Sequence, residues 1–122
     1  MDTPKILESE YRFCMIVWEN EPVNSTELVK LSKELLGWSK ATTYTVIRRL
    51  SERGVLKNEN AIVSSLVSKE EAQLSEMNEL MEKRFGNSLP AFLAAFTKQQ
   101  NLSEKQIDEI MKIIEMGGVA YV

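Results

Sequence analysis

The chain has 122 residues, of which 43% are hydrophobic and 27% charged, a composition ordinary for a folded protein of one or two small domains. Its single cysteine, Cys14, excludes an intrachain disulfide and therefore a disulfide-stapled scaffold. A net charge of -3 argues against a protein that coats nucleic acid non-specifically, although it leaves room for a local basic face.

Signatures of enzymes and of membrane proteins are absent from the sequence. It has no histidine, no glycine-rich phosphate loop and no Cys/His spacing typical of zinc, so we expect no enzyme, no cofactor and no metal. No apolar segment approaches the roughly 18 residues that span a bilayer, and no signal-peptide core is visible. The expected location is the cytoplasm, without membrane contact.

Apolar spacing and capping residues predict three helices in the first half of the chain, at about 9–20, 24–37 and 40–53. Gly37 and Gly54 end the second and third of these helices. Val55-Leu56 and Ile62-Val63 flank a turn at 58–61, which is typical of a short β-hairpin. Three helices followed by a hairpin have the plan of a winged helix-turn-helix.

The second half is predicted to be entirely helical. A long amphipathic helix covers about 69–85, Ser88 caps an apolar segment that follows, and Ser103 opens a last helix to about Met116. Residues 117–122 are expected to form a loose tail. The predicted fold is mainly α, with a winged helix at 1–67 that binds DNA and a three-helix dimerisation region at 68–122.

The third predicted helix has one apolar face and one polar, basic face. At 100° per residue, Thr43, Val46, Ile47 and Leu50 fall together and are expected to be buried. Residues 40–57 carry Lys40, Arg48, Arg49, Arg53 and Lys57 against Glu52, a local charge of +5 − 1 = +4. Arginine can contact guanine or phosphate, threonine can contact bases or phosphates, and tyrosine can donate to phosphate. The candidate DNA-binding residues are Ser39, Lys40, Ala41, Thr42, Tyr44, Thr45, Arg48 and Arg49.

The C-terminal helices carry more apolar surface than so short a chain can cover by itself. The segment from Leu89 to Phe96 is apolar nearly all round, and such a helix must be covered on all sides. A second copy is the expected cover, and a symmetric pair suits an inverted-repeat DNA site. The candidate dimerisation residues are Leu74, Met77, Leu80, Met81, Phe85, Leu89, Phe92, Leu93, Phe96, Ile107, Ile110 and Ile114.

Alternative interpretations stay open at this point. The basic helix could be a solvated charged face, and the apolar helix could be the core of a monomer. The scaffold could be a protein-binding adaptor, or a regulator that senses a ligand in a pocket between its halves. Cys14 is interpreted as a small buried residue rather than as a redox sensor.

Four segments of the chain together resemble the penicillinase-repressor family, which includes methicillin-resistance and copper-responsive repressors. They are LESEYRFCMIVWEN, LGWSKATTYTVIRRLSERGVL, SLVSKEEA and FGNSLPAFLAAFTKQQNLSEKQIDEIMKII, and the resemblance covers about 6–116. It implies a homodimeric winged-helix repressor that binds a palindromic operator. It also implies that the recognition helix is Ser39 to Arg53 and that the C-terminal helices form the dimer.

The sequence departs from this family at several positions. Many members are basic where this chain has Ala41 and Tyr44, and their wing is longer and richer in basic residues than the segment around Glu59. The β-lactam branch is relieved when an upstream sensor-protease pathway cuts an Asn-Phe bond. The matching pair here is Ala95-Phe96, so the resemblance leaves such a pathway open as a partner without implying cleavage at this bond. The Cys-x-Cys pairs of the copper branch are absent from 117–122, which argues against copper sensing.

Overall fold

The computed structural model describes residues 3–118, and the chain divides into two compact units, 1–78 and 79–122. The described elements, in chain order, are α1 (Glu8–Asn20), β1 (Val23–Asn24), α2 (Ser25–Leu36), α3 (Lys40–Glu52), β2 (Leu56–Glu59), β3 (Ile62–Ser65), α4 (Lys69–Phe85), α5 (Leu89–Gln99) and α6 (Glu104–Glu115). The division between the two units falls within α4. The predicted mainly α fold, a winged helix followed by three helices, is confirmed.

The first unit has a closed apolar core to which every one of its helices contributes. Phe13 and Val17 of α1, Leu28 of α2 and Leu50 of α3 have no exposed surface, and Ala72 brings the start of α4 into the same core. Burying side chains of this size is the main favourable contribution to folding, at about 1.5–3 kcal/mol each. The three helices and the sheet are therefore held in one fixed arrangement.

A small antiparallel sheet closes one side of this core, with the strand order β1-β3-β2. Glu59 pairs with Ile62, so only Asn60 and Ala61 form the turn, at φ 52° and 63°. Positive φ at both turn residues is typical of the type I′ turns that join two-residue hairpins. The four-residue connection expected at 58–61 is therefore wrong, and β1 was not predicted at all.

Helix boundaries follow the capping residues closely. Asn24 accepts a hydrogen bond from the Thr26 amide (2.8 Å), and Gly37 ends α2 in the left-handed conformation at φ 71°. Glycine suits that position because it has no Cβ to clash. The first helix begins at Glu8, one residue earlier than predicted, and α3 ends at Glu52, one residue earlier than predicted.

The second unit is helical and has little interior of its own. Neither α5 nor α6, both described along their whole length, contains a buried residue. Phe92 forms an edge contact with Phe85 (ring centroids 5.3 Å apart) and a stacked contact with Phe96 (5.8 Å). The predicted caps Ser88 and Ser103 are confirmed.

No helix among residues 3–118 is both long and apolar enough to cross a bilayer. Of the tail predicted at 117–122, Gly117 and Gly118 form a turn after α6, and residues 119–122 lie outside the described part of the chain.

Candidate nucleic-acid interface

Helix α3 is anchored along its inner face and fixed at its N-terminus. The predicted inner face of Thr43, Val46, Ile47 and Leu50 is confirmed, since all four are buried. Ser39 caps the helix by accepting a hydrogen bond from the Thr42 amide at 3.1 Å. These contacts leave the helix little freedom to rotate about its axis, so the opposite face is presented in a defined orientation.

Trp38 fixes the turn that leads into α3. Its ring stacks on Phe13 of α1, with ring centroids 5.4 Å apart and an interplanar angle of 21°. The Thr43 hydroxyl donates to the carbonyl oxygen of Ser39 at 3.0 Å and so closes the first turn. The short connection between α2 and α3 is thereby held by an aromatic contact on one side and a capping network on the other.

The candidate DNA-binding residues lie mostly on the exposed face. Thr45 is half-buried, and the other candidates are exposed, namely Ser39, Lys40, Ala41, Thr42, Tyr44, Arg48 and Arg49. The Ser39 and Thr42 hydroxyls already hydrogen-bond to each other at 3.0 Å. The structure thus brings these candidates together on one helix and at its cap, with the inward residues between them buried.

Tyr44 contacts a residue that the sequence did not single out. Its hydroxyl lies 3.3 Å from the Ser25 Oγ at the start of α2. Ser25 is buried and its amide donates to the Ala61 carbonyl of the hairpin turn at 2.8 Å. Tyr44, α2 and the hairpin are therefore linked, and no local pattern could reveal a contact between residues 19 positions apart.

Ion pairs reduce the positive charge that the sequence placed on this face. Arg48 Nη1 lies 3.8 Å from Glu52 Oε1. Lys57 Nζ lies 3.7 Å from Glu59 Oε2 in the hairpin. Among the described residues, the cations of this window that have no acidic partner are Lys40 and Arg49.

Arg53 was grouped with the surface cations of this helix, and the structure corrects that placement. Its guanidinium pairs with Glu10 of α1, whose side chain is only 6% exposed. Glu10 also accepts a hydrogen bond from the Leu7 amide at 2.9 Å. Arg53 therefore joins the end of α3 to the start of α1, and its charge is neutralised within the protein.

Cys14 lies near this buried pair and is fully buried, as predicted. The pKa of its thiol is raised to about 12, chiefly by burial and next by the Glu10 carboxylate, while Arg53 opposes both effects. A thiol with so high a pKa is protonated at neutral pH and is a poor nucleophile. Its environment fits a packing residue.

The candidate dimerisation residues remain largely open to solvent in the single chain. Those that are exposed are Leu74, Met77, Leu80, Leu89, Phe96, Ile107 and Ile114. The remainder, Met81, Phe85, Phe92, Leu93 and Ile110, are half-buried. The single chain therefore leaves many large apolar side chains without cover, and exposed apolar surface of this kind often marks an interaction site.

One cavity of the first unit bears on the ligand-sensing alternative. It measures about 290 Å³ and is lined by residues that include Trp18, Glu21 and Ser65. The Trp18 indole N–H donates to the Val67 carbonyl at 2.9 Å, and the Glu21 carboxylate accepts from the Ser65 amide and hydroxyl. Because these three side chains are already hydrogen-bonded within the protein, they offer little to a polar ligand.

The fold places the chain in the winged-helix class, with the polar face of α3 exposed. The profile of the penicillinase repressor family matches residues 6–116. The chain belongs to this family, whose members are DNA-binding transcriptional repressors.

Individual relatives are similar to the chain along most of its length. A penicillinase repressor from Bacillus licheniformis is 22% identical over 92% of this chain and 91% of its own. A penicillinase repressor from Staphylococcus aureus is 24% identical over 90% of both chains. An uncharacterised 16.5 kDa protein from Latilactobacillus sakei is 30% identical over 93% of this chain and 80% of its own.

Proposed function

We propose that the protein is a homodimeric repressor that binds an inverted-repeat operator by inserting α3 of each protomer into the major groove. The observation that supports this proposal is the division of α3 into a buried inner face and an exposed polar face. A helix held in this way fits the major groove, which admits one α-helix. Since a repressor acts where the DNA is, we also propose that the protein is cytoplasmic.

The exposed side chains divide into two chemical roles. Arg48 and Thr45 project from the middle of α3, where base edges come within reach, and arginine is the side chain best suited to guanine. Lys40 and Arg49 have no acidic partner in the described chain and serve as phosphate contacts. Phosphate contacts set the position of the protein on the duplex, and base contacts select the sequence.

The apolar surface of the second unit supports the dimeric part of the proposal. Leu89 and Phe96 of α5 and Ile107 and Ile114 of α6 are each at least 46% exposed. A second copy would cover these residues through a self-complementary interface, which is the commonest form of oligomer. Two-fold symmetry then requires an operator with two-fold symmetry.

Selection of binding sites from random duplexes tests the proposal directly. The expected result is an inverted repeat whose half-sites lie about one helical turn, or a multiple of it, apart. Equilibrium sedimentation of the complex should show two protomers on each duplex. Enrichment of a site without symmetry would contradict the dimer, and no enrichment would contradict sequence-specific binding.

Two arginine variants test whether α3 is the recognition helix. Arg48→Ala should weaken binding to the selected site by about tenfold or more and relax base preference at one position in each half-site. Arg49→Ala should weaken binding to all duplexes alike and make the salt dependence shallower by about one unit for each phosphate that the variant no longer binds. If both variants bind like the wild type, another element contacts the DNA.

The same measurements separate a repressor from a protein-binding adaptor. Binding through phosphates releases counterions, so affinity for DNA falls steeply with salt, whereas an adaptor shows no such dependence.

Relief by an upstream sensor-protease pathway is no part of the proposed function, because Ala95 precedes Phe96 where the β-lactam branch has Asn.

A further inference from the structure

The exposed face of α3 carries an acidic residue directly beside its central arginine. Arg48 and Glu52 are one helical turn apart, and the Arg48 Nη1 atom lies 3.8 Å from Glu52 Oε1. Their side chains are 65% and 64% exposed, so both are accessible to a ligand. Ala41, Thr45, Arg48 and Glu52 follow one another on a single stripe of the helix, with the acid nearest its C-terminus.

The ion pair is too weak to prevent Arg48 from binding elsewhere. An exposed pair at this separation is screened by water, and such pairs contribute little to stability. Arg48 can therefore exchange one acceptor for another at little cost. The electrostatic effect of Glu52 on an incoming ligand persists through the exchange, because the carboxylate stays on the same stripe.

The Glu52 carboxylate has different electrostatic interactions with the two possible DNA partners of Arg48, a phosphate and a guanine. A phosphate brings a full negative charge close to Glu52, and the two anions repel each other. The O6 and N7 atoms of guanine accept the same hydrogen bonds without a net charge. Glu52 therefore penalises phosphate contacts by Arg48 more than contacts to guanine.

We propose that Glu52 is a positioning residue that makes DNA binding by α3 selective for guanine, by keeping Arg48 off the phosphate backbone. This inference rests on the proposed function, since it requires α3 to contact DNA. Lys40 and Arg49, which have no acidic partner in the described chain, are left to supply the sequence-independent phosphate contacts. Guanine opposite Arg48 is the base that the arrangement selects.

The test compares Glu52→Gln with the wild type and with Glu59→Gln as a matched control. Each variant removes one negative charge from an exposed ion pair, but Glu59 pairs with Lys57 in the hairpin and leaves α3 unchanged. Affinities are measured for the selected operator, for a random duplex, and for operators with 7-deazaguanine at each guanine in turn. The substitution removes only the N7 acceptor.

The wild type should bind about tenfold more weakly when the guanine opposite Arg48 lacks N7, because a bidentate contact is broken. For the Glu52→Gln variant, removing N7 from the same guanine should weaken binding by less than about threefold. This variant should also bind the random duplex more tightly than the wild type does. Its salt dependence should be steeper by about 0.9 for each half-site, because Arg48 then contacts phosphate. Glu59→Gln should keep the full tenfold effect of removing N7.

Each contrary result has a distinct meaning. If Glu52→Gln keeps the wild-type sensitivity to removal of N7 and the wild-type salt dependence, the role of Glu52 is overturned while the proposed function stands. If the wild type binds no duplex specifically, both fall together. A thermal midpoint within about 2 °C of the wild type shows that Glu52→Gln is folded, as expected for so exposed a pair.

Discussion

The two units of this protein solve the problem of apolar surface in opposite ways. Within the described chain every buried hydrophobic side chain belongs to the first unit, from Phe13 to Ala72. In the second unit α5 and α6 bury none of their residues, although α5 is the most apolar helix of the protein. The first unit therefore specifies its own fold, whereas we expect the stability of the second to depend on protein concentration.

The largest expected effect comes from placing a charge at Phe92, a half-buried residue of α5 whose ring contacts Phe85 and Phe96. Phe92→Glu should weaken association by at least about a thousandfold, because the interface would have to bury an unpaired carboxylate. Light scattering at increasing concentration measures the change. Gln99→Glu adds the same charge at an exposed polar position of the same helix, and a dimer should persist in that variant. A Phe92→Glu protein of wild-type mass would show that α5 is not the interface.

A matched pair of leucine truncations sharpens the contrast between the units. Leu28→Ala, at a fully buried site, should lower the free energy of unfolding by about 3 kcal/mol. Leu89→Ala, at a site 55% exposed, should leave the unfolding of the first unit unchanged but weaken the dimer about tenfold. Urea titrations at several protein concentrations distinguish the two effects. Equal, concentration-independent decreases would mean that the units share one core.

The labelling rate of the Cys14 thiol measures how readily the core of the first unit opens. Its raised pKa, about 12 against the ordinary 9.0, keeps the thiol protonated, so labelling at pH 8 should be at least about a hundredfold slower in the folded protein than in denaturant. Equal labelling rates would show that α1 opens readily.

The same pKa shift makes a prediction about alkaline pH. Between pH 9 and 12 the unfolded chain loses the thiol proton while the folded protein keeps it, so the free energy of unfolding falls as pH rises. Below pH 9 the thiol is protonated in both the folded and the unfolded chain, so its contribution to the free energy of unfolding is fully present. Cys14→Ala should show a shallower fall than the wild type across this range, measured by denaturant titration at each pH. Parallel curves would contradict the shift.

The smallest expected effect concerns the hairpin turn. Ala61 has φ 63°, a conformation that glycine adopts without strain, so Ala61→Gly should raise the free energy of unfolding by up to about 1 kcal/mol. Ala41→Gly makes the same change within a helix and should lower it by a similar amount. A destabilised Ala61→Gly protein would indicate that the turn is not strained.

Local patterns predicted most of this structure. The inner face of α3 and the caps Ser88 and Ser103 depend on neighbours within one helical turn, so periodicity and capping chemistry are sufficient to find them. Helix boundaries derived from them agree to within a residue or two.

Features that depend on distant partners were missed. The pairing of Arg53 with Glu10 joins residues 43 positions apart, and β1 exists only because Val23 pairs with Val63. The turn was expected at 58–61, and its restriction to Asn60 and Ala61 was missed because alanine rarely occupies the left-handed region. The Arg48–Glu52 pair was also missed, although its partners are only four residues apart and their spacing was visible in the sequence.

The aromatic contact at the start of α3 gives the protein an intrinsic fluorescent probe at that position. Trp38 stacks on Phe13 and immediately precedes the Ser39 cap. Trp18, near the C-terminal end of α1, donates its indole N–H to the Val67 carbonyl instead. The protein has only these two tryptophans. Emission from a Trp18→Phe protein would therefore report, without any added dye, what happens at the entrance to α3 when a duplex arrives.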